Sequence, residues 1–421
     1  MPCGTPPSSA LLAHMMQPDA AGVPVSDPPR IRPSFLSQRS TASASRALRP
    51  TAKVLPEHGR GHNRALVLQT LFSTGEHSRA DIARSTGLTR VTVSELVSEL
   101  MAEGLLVEIG QREGARPGKP AVLLDIDRSS FQIVGIDLSD FAMFRGAVLD
   151  LGGNIVRRAE LPVAGITGQA ALDTVVALAE RLLSLVSAPL LGIGVGSPGI
   201  VDLTGTVVTA PNLEWTELPL QTSLFERFGV PVVVANDANA AVLAEHSFGD
   251  AQGDLMLVRI GRGVGAGLLL GGGPLHGSRF AAGEIGHVVV GTVVVGTDGG
   301  EPCSCGKRGC LETWIAAPRI DAKLADVSTV AARNDVICEA AARLGMALAP
   351  IVGALDLAEV VLSGPEQLLG GLFVDATLEA IRSRTMAQFP GDLTVRLTTL
   401  GDDIVLRGAA VMVISARLGV S

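Results

Sequence analysis

At 421 residues the chain exceeds the size at which one hydrophobic core stops growing, so more than one folding unit is expected. Hydrophobic residues make up 47% of it, yet no uninterrupted apolar run reaches the roughly 18 to 20 residues of a membrane helix, which predicts a soluble protein without a membrane partner. The net charge of −8 excludes a protein that coats nucleic acid through bulk positive charge, and three of the five cysteines sit in one loop, which excludes a disulfide framework and points to the reducing cytoplasm.

Residues 1–60 are rich in Pro, Ser and Ala and lack helical or strand periodicity, the composition of a disordered N-terminal arm. Pro2, Pro6, Pro7 and Pro18 flank and interrupt the only apolar stretch, Ala10 to Met16, which argues against a signal peptide. From 61 to 127 the character changes. Leu66, Leu68, Leu71 and Phe72 predict an amphipathic helix. Ser78 and Asp81 can cap a second helix that Gly87 breaks, and Thr89 can cap a third in which Val93, Leu96, Val97 and Leu100 recur at helical spacing. Small Ala83, the Gly87 turn and Val93 have the spacing of a helix-turn-helix. Two short strands follow, at 104–109 and 121–126, around a basic Gly-rich tip, which makes the unit a winged helix-turn-helix. Operator DNA is the partner such a unit implies. Arg79, Thr89, Arg90, Thr92 and Ser94, around the starts of the second and third helices, are its candidate contacts, the last three placed to reach base edges. Arg112, Arg116 and Lys119 would touch phosphates or the minor groove from the wing.

After Phe131 the chain becomes α/β. Runs at 133–137, 144–150 and 155–162 read as a three-stranded meander, followed by a helix over 169–187. Leu190 to Gly196 and Val230 to Asn236 read as buried strands, and 255–270 as two Gly-broken ones. Val360 to Gly364 reads as a strand and turn, and Gly401 to Ala410 as a closing strand and helix. This order predicts a two-lobed actin-like, sugar-kinase (ribonuclease H-like) domain over 131–421, with a cleft between the lobes.

One loop carries distinctive chemistry. Cys303, Cys305 and Cys310 lie within eight positions punctuated by Gly306 and Gly309, and His287 stands shortly before. Three thiolates and an imidazole form a tetrahedral donor set that suits structural zinc. Between His287 and Cys303 the chain repeats Val-Val-Val-Gly-Thr, at 288–292 and 293–297. The copy either loops out or carries His287 out of range and leaves a three-thiolate site.

Ser197-Pro-Gly-Ile-Val-Asp202, Asn236-Asp237-Ala-Asn239, Gly283-Glu284-Ile-Gly-His287 and the Cys303 to Glu312 loop, with a winged helix ahead of them, resemble the ROK family of transcriptional repressors and sugar kinases, in its regulator form. The resemblance implies zinc on His287, Cys303, Cys305 and Cys310. It also implies a sugar or sugar-phosphate effector bound by Gly199, Asn212, Asn236, Asp237, Glu284, His287 and Glu312, and a homodimer or homotetramer. In family kinases Asp237 would be the general base, and a Gly-Gly-Thr turn after the first-strand Asp would cradle phosphates. Here Asp137 is followed by Leu138-Ser139-Asp140, and the second phosphate loop, Gly261 to Gly267, carries Arg262 where kinases commonly have Thr. The expectation is a sugar-responsive repressor of carbohydrate genes and not an enzyme; the alternative is an ATP-dependent sugar kinase that keeps Asp237 as base.

Overall fold

The computed structural model describes residues 56–111, 121–251, 253–290, 300–386 and 393–420. The first unit opens with helix α1 (Pro56–Thr74), which takes in the last five residues, 56–60, of the stretch expected to be a disordered arm; proline is tolerated at a first helical position because its missing N–H has no intrahelical partner there. The rest of that arm, and the wing residues Arg112, Arg116 and Lys119, lie outside the described residues. Strand β1 (His77–Ser78) leads into α2 (Arg79–Thr86), whose capping box joins the Ser78 hydroxyl and the Asp81 carboxylate, each bonding the other's backbone N–H. Gly87 ends it. Thr89 caps α3 (Arg90–Ala102), which buries Val93, Leu96, Val97 and Leu100, the four positions its spacing predicts. Strands β2 (Leu106–Gln111) and β3 (Val122–Ile126) complete a three-stranded sheet in the order β1-β3-β2.

The first lobe starts with the antiparallel meander β4 (Gln132–Asp137), β5 (Met143–Asp150) and β6 (Ile155–Pro162). Helix α4 (Gly168–Leu183) ends four residues short of its predicted limit, and β7 (Leu190–Ser197) then pairs parallel to β4. A small sheet of β8 (Ile200–Val201), β9 (Val207–Ala210) and β10 (Trp215–Leu218) precedes α5 (Leu220–Phe228), and β11 (Val232–Asn236) closes the order β11-β7-β4-β5-β6. Helix α6 (Asp237–Phe248) leads to the second lobe, where β12 (Leu255–Ile260), β13 (Val264–Leu270) and β14 (Gly273–Pro274) form another antiparallel run. Short α7 (Glu312–Ile315) and α8 (Ala317–Ala325) are followed by α9 (Val330–Leu355) and then by β15 (Glu359–Ser363), parallel to β12. After α10 (Glu366–Leu369) and α11 (Leu372–Arg382), β16 (Thr394–Leu397) completes the order β14-β13-β12-β15-β16. Both five-stranded sheets thus pair an antiparallel meander with two further parallel strands, the two-lobed plan expected. The closing strand lies upstream of its predicted place: Gly401–Asp403 is a 3₁₀ turn opening the last helix, α12 (Ile404–Leu418).

Helix α9 is the one described helix long and apolar enough to cross a membrane. Its Ala340, Ala341, Leu344, Leu348 and Val352 are buried in the second lobe's core, so its apolar face is already occupied.

Helices α6 and α12 pack against one another between the sheets. Their separation is set by residue size: a Cβ on Gly408 would lie 1.9 Å from the Ala240 carbonyl oxygen, and one on Gly194 of β7 would lie 2.1 Å from that of Ala409. The winged unit is not separate from this framework. Residues 60–421 form one compact unit, and Val67, Leu68 and Leu71 of α1 share a hydrophobic cluster with Ile414 and Leu418 of α12 and Ile133 and Leu149 of the first lobe. Gly408→Val should push α6 off α12 and lower stability by about 1–3 kcal/mol, the usual cost of overpacking a filled core; a urea midpoint equal to that of the parent chain would contradict this packing.

Candidate functional site

Helix α6 places the first polar groups. Asn236, its N-cap, accepts from the N–H groups of Ala238 (2.9 Å) and Asn239 (3.1 Å) and donates to the Gly199 carbonyl (2.8 Å), so most of its side chain is spent on holding the helix start against the first lobe. Asp237, next in line, is aimed into the cleft. Its Oδ1 accepts from the Ala238 N–H at 2.9 Å and its Oδ2 pairs with Arg259. Burial pushes its carboxyl above the usual range, against the opposing pull of Arg259, and nearby Asp137 adds to the upward shift.

The segment Gly283 to His287 runs against β13. A Cβ on Gly283 would lie 1.8 Å from the Ala266 carbonyl oxygen and one on Gly286 2.1 Å from that of Val264, so only glycine lets this chain lie on the strand and turn Glu284 and His287 inward. Burial also raises the Glu284 carboxyl, offset by the His287 imidazole and reinforced by Asp237 and Glu312.

The cysteine loop is a small hairpin. Cys303 N–H bonds Lys307 O at 2.8 Å, and Val290 N–H and Leu311 N–H bond Gly309 O (3.1 Å) and Val288 O (2.8 Å). The first Val-Val-Val copy therefore pairs with the strand bearing Cys310 and holds His287 beside it; the second copy lies outside the described residues. Arg343 of α9 backs this arrangement, donating to Val290 O at 2.7 Å while its guanidinium lies 3.6 Å from the Trp314 ring centre. The ligand atoms of His287, Cys303, Cys305 and Cys310 all lie within 4.8 Å of one another, with His287 Nδ1 at 3.4 Å from Cys303 Sγ and Cys305 Sγ at 3.6 Å from Cys310 Sγ. Metal–sulfur bonds of about 2.3 Å in a tetrahedron need sulfur separations near these, so the set fits a four-coordinate ion with no open position. Burial pushes the Cys303 thiol up to about 12 and raises that of Cys310, whereas the Lys307 backbone N–H brings that of Cys305 down to about 7. A metal ion would have to displace these protons.

The two features meet through Glu312, the first residue of α7. Its Oε1 accepts from the Cys303 thiol at 2.8 Å and stands 3.6 Å from His287 Nδ1, while His287 Nε2 is 3.9 Å from Glu284 Oε2. The imidazole thus turns one nitrogen to the thiols and the other to the cleft. Gly199, Asn212, Asn236, Asp237, Glu284, His287 and Glu312 all line one cavity of about 480 Å³, so the structure brings together every residue expected there for a sugar. Two contributors were missed. Arg259 and Arg145 pair with Asp237 and Asp137; the signal was an arginine inside the apolar strand run 255–260, since a charge in a buried strand requires a partner. The turn after β4 divides its side chains. Leu138 is buried in the first lobe's core, leaving Ser139 and Asp140 to line the cleft.

On the winged unit, Arg90 and Ser94 are exposed at the start of α3. Thr92 bonds Thr89 side chain to side chain at 2.9 Å, and Arg79 pairs with Glu108 of β2 at 3.4 Å. Arg79 and Thr89 thus also serve the unit's own structure.

A winged-helix unit joined to two lobes of the sugar-kinase plan, with a Cys₃His cluster beside a carboxylate-lined cleft, defines the class of protein. Residues 133–416 match the ROK family, and the chain belongs to it. It is 31% identical to the xylose repressor of Caldicellulosiruptor bescii over 85% of this chain and 96% of that one, and 32% identical to the glucokinase of Halalkalibacterium halodurans over 66% of this chain and 94% of that one. The crystal structure of a ROK family transcriptional regulator, a homolog of the E. coli MLC protein, superposes with a TM-score of 0.74 over 86% of this chain and 98% of that one at 24% identity, a likeness of fold.

Removing the metal ligand should loosen the hairpin that carries Glu312. Metal analysis of the purified protein is expected to give one ion per chain, lost in Cys310→Ser; full metal content in that variant would show that the cluster is not the site.

Proposed function

We propose that the chain is a sugar-responsive, DNA-binding transcriptional repressor of carbohydrate uptake or catabolism genes, released from its operator when a sugar enters the cleft. The observation that carries the reading is the winged unit ahead of the lobes: the likeness to the xylose repressor spans 85% of the chain and that to the glucokinase 66%. In this reading the protein is cytoplasmic and acts as a homodimer or homotetramer, presenting two winged units to a palindromic site.

Each group has a task suited to its chemistry. Sugar hydroxyls both donate and accept, so the carboxylates of Asp237, Glu284 and Glu312 accept their hydrogen bonds while the His287 and Asn236 N–H groups and the Gly199 and Asn212 neighbourhood complete the set. Zinc is the ion that three thiolates and an imidazole suit best, and it is structural: bound, it would fix the hairpin bearing Glu312 against the segment bearing Glu284. Arg90, Thr92 and Ser94 face the bases, with Arg79 and Thr89 at the helix starts. Arg112, Arg116 and Lys119 belong to the wing and would reach phosphates. The protein is not an enzyme in this reading. Ser139 and Asp140 stand where bare glycine backbone would cradle phosphates, and Asp237 is tied to Arg259.

Gel-shift titration of the DNA upstream of its own gene should give sequence-selective binding, reversed by one sugar of a panel including D-xylose, D-glucose and their phosphates. Arg90→Ala should weaken it by about 1–3 kcal/mol, the worth of one base contact. No selective complex would sink the repressor reading. Steady ADP release with any sugar of that panel would favour the kinase.

A further inference from the structure

Two arginines of the β12–β13 hairpin cross from the second lobe to the first. Arg259 bonds Asp237 through Nη1 and donates through Nη2 to Ser139 Oγ at 3.1 Å. Arg262, at the hairpin tip, sets its guanidinium 5.3 Å from the Phe141 ring centre. Ser139 and Phe141 both belong to the turn between β4 and β5. This turn and this hairpin correspond to the two loops that hold phosphates in the family's kinases, where a nucleotide would stand between them. A second pair sits alongside: Arg145 Nη2 lies 3.0 Å from Oδ2 of fully buried Asp137. The carboxylates that follow β11 and end β4 are thus each answered by a guanidinium from the chain itself.

We propose that Arg259 is an interlobe clamp: its guanidinium joins β12 of the second lobe to Ser139 of the first, at the edge of a cavity of about 310 Å³ that stays open between the turn and the hairpin, and fixes Asp237 as a hydroxyl acceptor. The two sides of the cleft are thereby joined by the chain's own side chains. A guanidinium is suited to this because its donors are held in a rigid planar fork, so one side chain of the second lobe can bond the carboxylate at the start of α6 and a hydroxyl of the first lobe at once. Partial burial, with Arg259 20% and Asp237 18% exposed, shields the pair from solvent screening. Asp237 keeps an acceptor site on each oxygen, enough to take a sugar hydroxyl, while its attachment to Arg259 opposes its service as a base. Arg259 is a positioning residue in this scheme. Only the consequence for sugar rests on the function proposed above; the clamp itself needs no ligand.

Hydrogen–deuterium exchange on the full-length protein tests it. In Arg259→Met, the amides of the turn 138–142 and the hairpin 260–264 should exchange at least about tenfold faster than in the parent, with the cores of both sheets unchanged. Ser139→Ala, which removes one acceptor and keeps the Asp237 pair, should show a smaller increase in the same two segments, and it carries the test if Arg259→Met does not fold. Adding magnesium–ATP to the parent should leave the turn's exchange unchanged. Parent-like exchange in the variants overturns the clamp, and so does protection of the turn by magnesium–ATP. Failure of every sugar to bind while these exchange differences hold would count against the repressor reading alone.

Discussion

The close approach of α6 and α12 is the constraint on which the rest of the molecule rests. The two helices meet at Gly408 and Ala240, with no space for even a methyl group, and α12 lies equally tight on β7 at Gly194. That contact fixes where α6 begins, and the beginning of α6 is where Asn236 caps and Asp237 enters the cleft. A protein interior packed to this density transmits displacement instead of absorbing it. The same wedge of helices anchors both sheets, so the geometry of the ligand groups follows from backbone separation before any side-chain chemistry is considered.

The site draws on segments far apart in the chain, and each reaches it by a different physical device. Asp237 arrives at a capped helix start. Glu284 and His287 arrive on a strip of chain that only glycine allows against β13. Glu312 arrives behind a hairpin that backbone hydrogen bonds and a cysteine cluster hold in shape. Burial raises both Asp237 and Glu284, and neighbouring carboxylates add to it: Asp137 acts on Asp237, and Asp237 and Glu312 act on Glu284. The cation that relieves it at Asp237, Arg259, comes from the second lobe, which ties the charge balance of the cleft to the lobes staying together.

Much of this was legible in the chain itself because local signals governed it. Ser78, Asp81, Gly87 and Thr89 bound α2 and α3 through capping and turn chemistry that acts over four residues, and the apolar spacing in α3 named its buried face. The cysteines announced a metal cluster by number and proximity. The quoted family motifs hold six of the seven cleft residues, and the wider resemblance supplied Asn212, a match of pattern and not a derivation. What escaped depends on contacts distant in sequence. Ser139 and Arg259 are 120 positions apart, and nothing local in either segment pairs them. Which of Leu138, Ser139 and Asp140 turns away from the cleft is decided by the first lobe's core, where Leu138 packs. Whether the repeated Val-Val-Val-Gly-Thr displaced His287 turned on strand pairing to Gly309 and Leu311, which no spacing argument reaches.

Helix α12 has a mechanical consequence. Its N-terminal end is pinned to the first lobe through Asp403 and Arg158, two parallel bonds of 2.6 Å, and its far end lies in the cluster shared with α1. Fifteen residues at 1.5 Å each make a rod of about 22 Å. Tilted by about 5° at its pinned end, such a rod sweeps its tip through about 2 Å, on the order of the helix shifts that switch interfaces in other proteins. The winged unit thus rests on the far end of a rod whose near end is pinned to the first lobe.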